Sequence, residues 1–169
     1  DKRNFGIHYA KAFRQKSIIS LFAYIFFVSL FYHGIQQWLG VYFSTSFNFS
    51  QFVISMLITL TSLSGIFGEI AGGILADRAG RIKTVQWGII LMIASVGFLI
   101  FKLHLVFLII IMIAWGLGWT LNHAGISTVL TDLPKEFLNE AASLNSSVRF
   151  IAGGVGAARG VGQRQVPWR

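Results

Sequence analysis

The chain has 169 residues, 54% of them hydrophobic and 12% charged, with a net charge of +8 and no cysteine. A mean hydropathy of +0.67 lies outside the range of soluble domains and inside that of polytopic membrane proteins. The missing cysteines exclude a disulfide framework, a thiolate zinc site and a thiol nucleophile. The bases fall in the links between apolar runs and not on one amphipathic face, which reads as positive-inside bias and argues against nucleic acid as a partner.

Residues 1–16 interleave Phe5, Tyr9 and Phe13 with Lys2, Arg3, Lys11, Arg14 and Lys16, a pattern that predicts a short amphipathic helix on the inner membrane surface. The chain starts at Asp1 with no signal-peptide pattern and reads as a piece of a longer protein. Residues 17–131 hold four segments near the roughly 20 apolar residues that a bilayer crossing needs. Span A covers about Ser17 to Phe43, span B Phe52 to Ala76, span C Thr84 to Phe101 and span D Leu103 to Leu130. Each must be helical, because a segment in lipid has to satisfy its own backbone hydrogen bonds. The expected fold is therefore all-α, a polytopic membrane helix bundle with the lipid bilayer as its first partner.

The bases set the orientation. The links before A and between B and C are rich in them (Arg78, Arg81 and Lys83 in the latter), the A–B link has none, the C–D link has Lys102 alone, and Lys135 and Arg149 follow span D. Both ends are thereby expected in the cytoplasm, most simply of a bacterial inner membrane. Trp38, Tyr42, Phe43, Phe47, Phe49 and Phe52 around the A–B link read as an outer aromatic belt. Beyond span D, Asp132 is placed to cap a further helix with Pro134 in its first turn. The apolar part of that helix, near Val148 to Ala152, is too short to span. Residues 132–158 thus read as a loop and the start of a truncated fifth span. Residues 159–169 read as an atypical basic tail.

Span B carries two adjacent ridges at i, i+4 spacing: Ser64, Gly68, Gly72 and Ala76, and beside them Gly65, Glu69, Gly73 and Asp77. Small residues at this spacing let helix backbones approach closely in lipid, so span B is expected to pack tightly on another helix. Glu69 lies two turns, ~12 Å, from Asp77 on the same face. An acid at that depth is a functional candidate by default. It either titrates with a coupling proton or stays protonated against a helix neighbour. At the end of span B, Arg78, Arg81 and Lys83 suit the negative end of the helix dipole. Gly80 is expected to stop the helix in the left-handed conformation. Asp77 is better placed for a neighbouring helix amino terminus or an Arg than for its own helix end.

Gly73, Asp77, Arg78, Gly80 and Lys83 follow the pattern Gly, three residues, acid, base, any residue, Gly, any residue, then two bases. Ile82 stands where a base is usual, and Arg81 supplies one next door. Placed between two spans, the stretch resembles the link between the second and third spans of a six-span half in the major facilitator superfamily of secondary transporters. The resemblance extends to about Ala158. It implies a twelve-span, two-half transporter that works by alternating access, with this link as a gating latch on the cytoplasmic face. It also implies a small-molecule substrate such as a sugar, drug or metabolite, moved by efflux, symport or antiport, and a missing half as partner. The coupling ion expected is the proton.

Met112 stands where the amino-terminal half of many exporters in the family has an Arg, four residues before Gly116, and Phe150 to Ala158 holds no Pro where those exporters carry a Gly-Pro pair in the fifth span. The resemblance therefore points to spans seven to ten and the start of eleven, with spans one to five as the alternative. In this family the first helix of each three-span repeat lines the path. That rule makes His33, Gln36 and Gln37 on span A, and Trp115, Trp119, Asn122 and His123 on span D, the cavity candidates. The same polar groups could instead make interhelical hydrogen bonds. With no strongly charged pair facing the path, a neutral or amphipathic molecule is expected.

No enzyme constellation is present. The four histidines lack metal-ligand spacing, no glycine-rich phosphate loop follows a strand, and neither a cofactor nor a metal is expected. A second class remains open, a non-transporting membrane fragment or small assembly subunit that needs a partner.

Overall fold

The computed structural model describes residues 16–133 and 138–161. The surface segment around Phe5, Tyr9 and Phe13, the residues Pro134, Lys135 and Glu136, and the tail from 162 onward lie outside the described residues. The described chain is all-α: α1 (Lys16–Phe47), α2 (Gln51–Ala79), α3 (Arg81–Leu99), α4 (Leu105–Leu130) and α5 (Leu138–Val161). No proline interrupts any of them. Among the described residues, α1 to α4 are long and apolar enough to cross a bilayer, as the four predicted spans require. α5, with 24 residues, has the length but not the apolarity.

The helix ends have local causes. α1 runs one turn past the expected Phe43 and stops at Asn48, which has φ 54. The Asn48 N–H bonds the Ser44 carbonyl at 3.1 Å, the left-handed cap for which Asn is the usual substitute for Gly. Ser50 starts α2 by accepting from the Val53 N–H at 3.4 Å, a side-chain N-cap. Gly80 alone separates α2 from α3. Its φ of 101 is positive as expected, but its ψ of 145 is extended, so it is not the left-handed helical stop foreseen from the sequence. A one-residue link has to reverse the chain, and this region of backbone space is open to glycine almost alone.

The chain divides into two compact units, one of residues up to Leu39 together with those from Leu133 on, the other Gly40–Asp132. In the first, Ile18, Phe22, Ile25 and Ser29 are buried along one face of α1, and Ala141 and Ala152 are buried on α5. In the second, α4 packs against both α2 and α3 around a core that includes Leu57, Met92, Leu108, Met112, Trp115 and Ile126. One end of this unit is closed by aromatics. The rings of Tyr42 and Phe47 are 5.7 Å apart and those of Phe47 and Phe49 stack at 5.2 Å. Tyr42 donates its hydroxyl hydrogen to the Leu99 carbonyl. Phe43 is wholly buried whereas Phe52 is 78% exposed. The sequence-predicted belt is thus in part a packing plug, because the turn at Asn48 folds Phe49 back onto Phe43.

Candidate functional site

The α2–α4 seam is built from the ridge foreseen in span B. A methyl on Gly68 would sit 3.1 Å from Thr120 Cβ, and one on Gly72 would sit 2.7 Å from Ala124 Cβ. One on Gly116 would run into the Thr61 carbonyl and the Ser64 hydroxyl. The pairs Ser64–Gly116, Gly68–Thr120 and Gly72–Ala124 share a constant sequence offset, so the two helices run parallel with their i, i+4 ridges in register. The α3–α4 contact is as close. A methyl on Gly88 would lie 2.6 Å from the Asn122 amide nitrogen, and one on Gly118 would lie 2.9 Å from the Gly88 carbonyl.

This packing positions the polar groups. Glu69 follows Gly68, and His123 precedes Ala124, so both stand at the margin of the seam. Glu69 Oε1 and His123 Nδ1 are 2.7 Å apart, with both side chains between one third and one half exposed. The sequence left Glu69 between proton coupling and a bond to a helix neighbour and made His123 a cavity candidate; the parallel register makes them partners. No single-helix pattern in the sequence gives an offset between two helices, so the pairing was not legible there. The ring of Trp119 lies 6.4 Å from that of His123, one turn away on α4.

Asn122 is fully buried and its Nδ2 donates to the Val85 carbonyl at 3.2 Å, which is the interhelical hydrogen bond set out above as the alternative to a cavity role. Trp115 is buried too, 1% exposed. His33 and Gln36 are half-buried and Gln37 is exposed, all on α1 within the first compact unit.

At the Gly80 end, Arg81 opens α3, where the helix dipole disfavours a cation. It serves α4 instead. Its Nη1 donates to the Thr128 carbonyl at 2.9 Å and it forms an ion pair with Asp132. Thr128 belongs to the last turn of α4, whose carbonyls lack helical partners and favour a positive charge. Asp132, expected to cap the next helix, turns back to Arg81. Arg78 sits in the last turn of α2, while Asp77 and Lys83 are exposed. Gly73 has open space around it.

A family model described as Major Facilitator Superfamily matches residues 2–157, nearly the whole chain. The chain belongs to that superfamily. No curated protein and no solved structure matched it. Membership makes the protein a multi-pass membrane protein of a transporter family, with small molecules as its substrates. Gly73, Asp77, Arg78, Gly80, Arg81 and Lys83 lie along the end of α2, the one-residue link and the start of α3.

Proposed function

We propose that this chain is part of a proton-coupled facilitator that carries a small organic molecule by alternating access. The observation that carries the reading is the Glu69–His123 pair, held at 2.7 Å between two membrane-spanning helices. A carboxyl and an imidazole at hydrogen-bond distance share one proton as a neutral or internally neutralised unit, the cheapest state in an apolar medium. Water reaching one side of the pair lowers the cost of the singly charged forms, so the unit gains or loses one proton and acts as a whole. A conformational change that alternates the side open to water therefore moves a proton with it. The cavity role expected of Trp119 and His123 is kept for α4, and that of His33, Gln36 and Gln37 is kept separately for α1. Trp115 and Asn122 support the former from within the helix contacts.

The gate is assigned to the Gly80 end, where Arg81, Thr128 and Asp132 tie the α2–α3 link to the end of α4. Asp77 faces outward from it for a partner helix. The charge distribution supports this end, and both termini, lying in the cytoplasm of a bacterial inner membrane. The absence of the exporter Arg at Met112 supports spans seven to ten and the start of eleven as the register, with a partner half completing the path.

The test is uptake into proteoliposomes across an imposed pH gradient, with a panel of labelled sugars, drugs and metabolites. Glu69→Gln and His123→Asn are expected to abolish gradient-driven accumulation while downhill exchange of the same solute continues. Accumulation that survives Glu69→Gln would sink the coupling role.

A further inference from the structure

Arg149 has no part in the transport cycle set out above. In the sequence it reads as one of the bases beyond the fourth span, but α5 carries it deep along its axis. It lies eleven residues after Leu138, so ~17 Å from the helix start at 1.5 Å per residue. Its Nε donates to Asn145 Oδ1, one turn earlier, at 2.9 Å. One turn later on the same face is Gly153, which meets the imidazole of His33 on α1. A methyl there would sit 3.5 Å from His33 Cδ2 and 3.8 Å from Nε2. The positive charge of Arg149 is near enough to act on the same imidazole. The depths agree, since His33 lies fifteen residues beyond Ile18, where its span begins, and Gly153 lies fifteen beyond Leu138. Both helices contribute these residues within one compact unit.

A guanidinium at mid-span depth is expensive, and such residues mark substrate or ion paths. With Nε held by Asn145, the guanidinium plane is fixed, and its planar fork matches an oxyanion in two-pronged geometry that a lysine could not reproduce. The missing side chain at Gly153 leaves His33 room beside it. His33 offers a second donor when its ring N–H faces the same acceptor.

We propose that Arg149, oriented by Asn145 and set beside His33, binds one anionic group, a carboxylate, on the transported molecule. This deepens the transport reading and rests on it. The substrate narrows from neutral or amphipathic to an amphipathic molecule with one negative charge.

The test is equilibrium binding of labelled benzoate, and separately of inorganic phosphate, to the full chain in lipid nanodiscs, with benzamide as the uncharged competitor. Saturable benzoate binding that benzamide does not displace is expected. Arg149→Gln should weaken it at least tenfold, and Arg149→Lys should weaken it less. Gly153→Val, which pushes the His33 ring aside and keeps every charge, should also weaken it, and it carries the test if Arg149→Gln does not fold. Saturable binding of phosphate alone would overturn the carboxylate assignment. Absence of saturable binding, or benzoate affinity unchanged by whichever of Arg149→Gln and Gly153→Val folds, would overturn the site. Binding requires no transport. Its absence beside intact gradient-driven uptake removes this site and leaves the coupling role standing, and binding without uptake does the reverse.

Discussion

Gly88→Ala places a methyl where three backbone atoms of α4 already stand, at 2.6 Å from the Asn122 nitrogen, 2.7 Å from the Gly118 carbonyl oxygen and 2.9 Å from the Asn122 Cα. None of these can rotate away, so α3 and α4 must part by about 1 Å to restore ordinary contact near 3.5–4.0 Å. That movement stretches the Asn122 Nδ2 to Val85 carbonyl bond from 3.2 Å past hydrogen-bond range. Overpacking of this kind costs about 1–3 kcal/mol. A lost interhelical hydrogen bond in a membrane protein adds about 0.6 kcal/mol, so a loss of roughly 2–4 kcal/mol is expected. Gly97→Ala on the same helix is the control, because nothing lies within 4 Å of its added methyl; it should be neutral or slightly stabilising. Unfolding of the full chain in mixed micelles with rising SDS, followed by tryptophan fluorescence, measures both. A Gly88→Ala protein within about 0.5 kcal/mol of its parent, an ordinary surface-substitution effect, would refute the packing.

The Arg81–Asp132 pair is half exposed, so a double-mutant cycle with alanine should give a coupling of only about 0.2–1 kcal/mol. Arg81→Ala alone should cost slightly more than Asp132→Ala, since it also removes one of the two donors to the Thr128 carbonyl and leaves only the Thr131 hydroxyl at 2.7 Å. Tyr42→Phe should lower stability by about 0.5–1.5 kcal/mol in the same unfolding assay, by releasing the last carbonyl of α3. Asn122→Ala should cost about 0.6–1.7 kcal/mol, and solute affinity left unchanged by it in proteoliposomes would confine Asn122 to a structural role.

The helices were legible because each is a long apolar run between polar links, and lipid leaves such a run no other structure. The small ridge of span B was legible as a close contact, since Ser64, Gly68 and Gly72 repeat at one helical turn. Its partner was not, because Gly116, Thr120 and Ala124 form an equally plain ridge whose match requires the register between two helices. The same gap hid the Glu69–His123 pair and the reach of Arg81 to α4. Gly80 shows a finer limit. The positive φ followed from the residue type, but ψ follows from how two helices are joined through one residue. Arg149 was counted as a topological charge because the apolar stretch around it is short, and its depth followed from its place along α5 together with the contact of Gly153 with His33.

The α2–α4 seam bears on how the protein moves. Close packing of small ridges fits a rigid contact and a sliding one equally well when read from one helix. The register separates them. Gly116 is pressed against the Thr61 carbonyl, and a slide of one turn would set Thr120 against Ser64 or draw Glu69 from His123. Both outcomes cost packing or a polar contact at the seam's margin, so α2, α3 and α4 should travel as one body and any rocking should occur outside this seam. The absence of native cysteine makes the test clean. A Cβ at position 68 would lie 3.1 Å from the Thr120 Cβ, and a disulfide needs about 3.5–4.5 Å, so Gly68→Cys with Thr120→Cys should oxidise after a shift of under about 1 Å. The oxidised protein should retain at least half of the gradient-driven uptake of its reduced form. Uptake that falls below one tenth on oxidation and returns with reductant would show that the seam itself must open during transport.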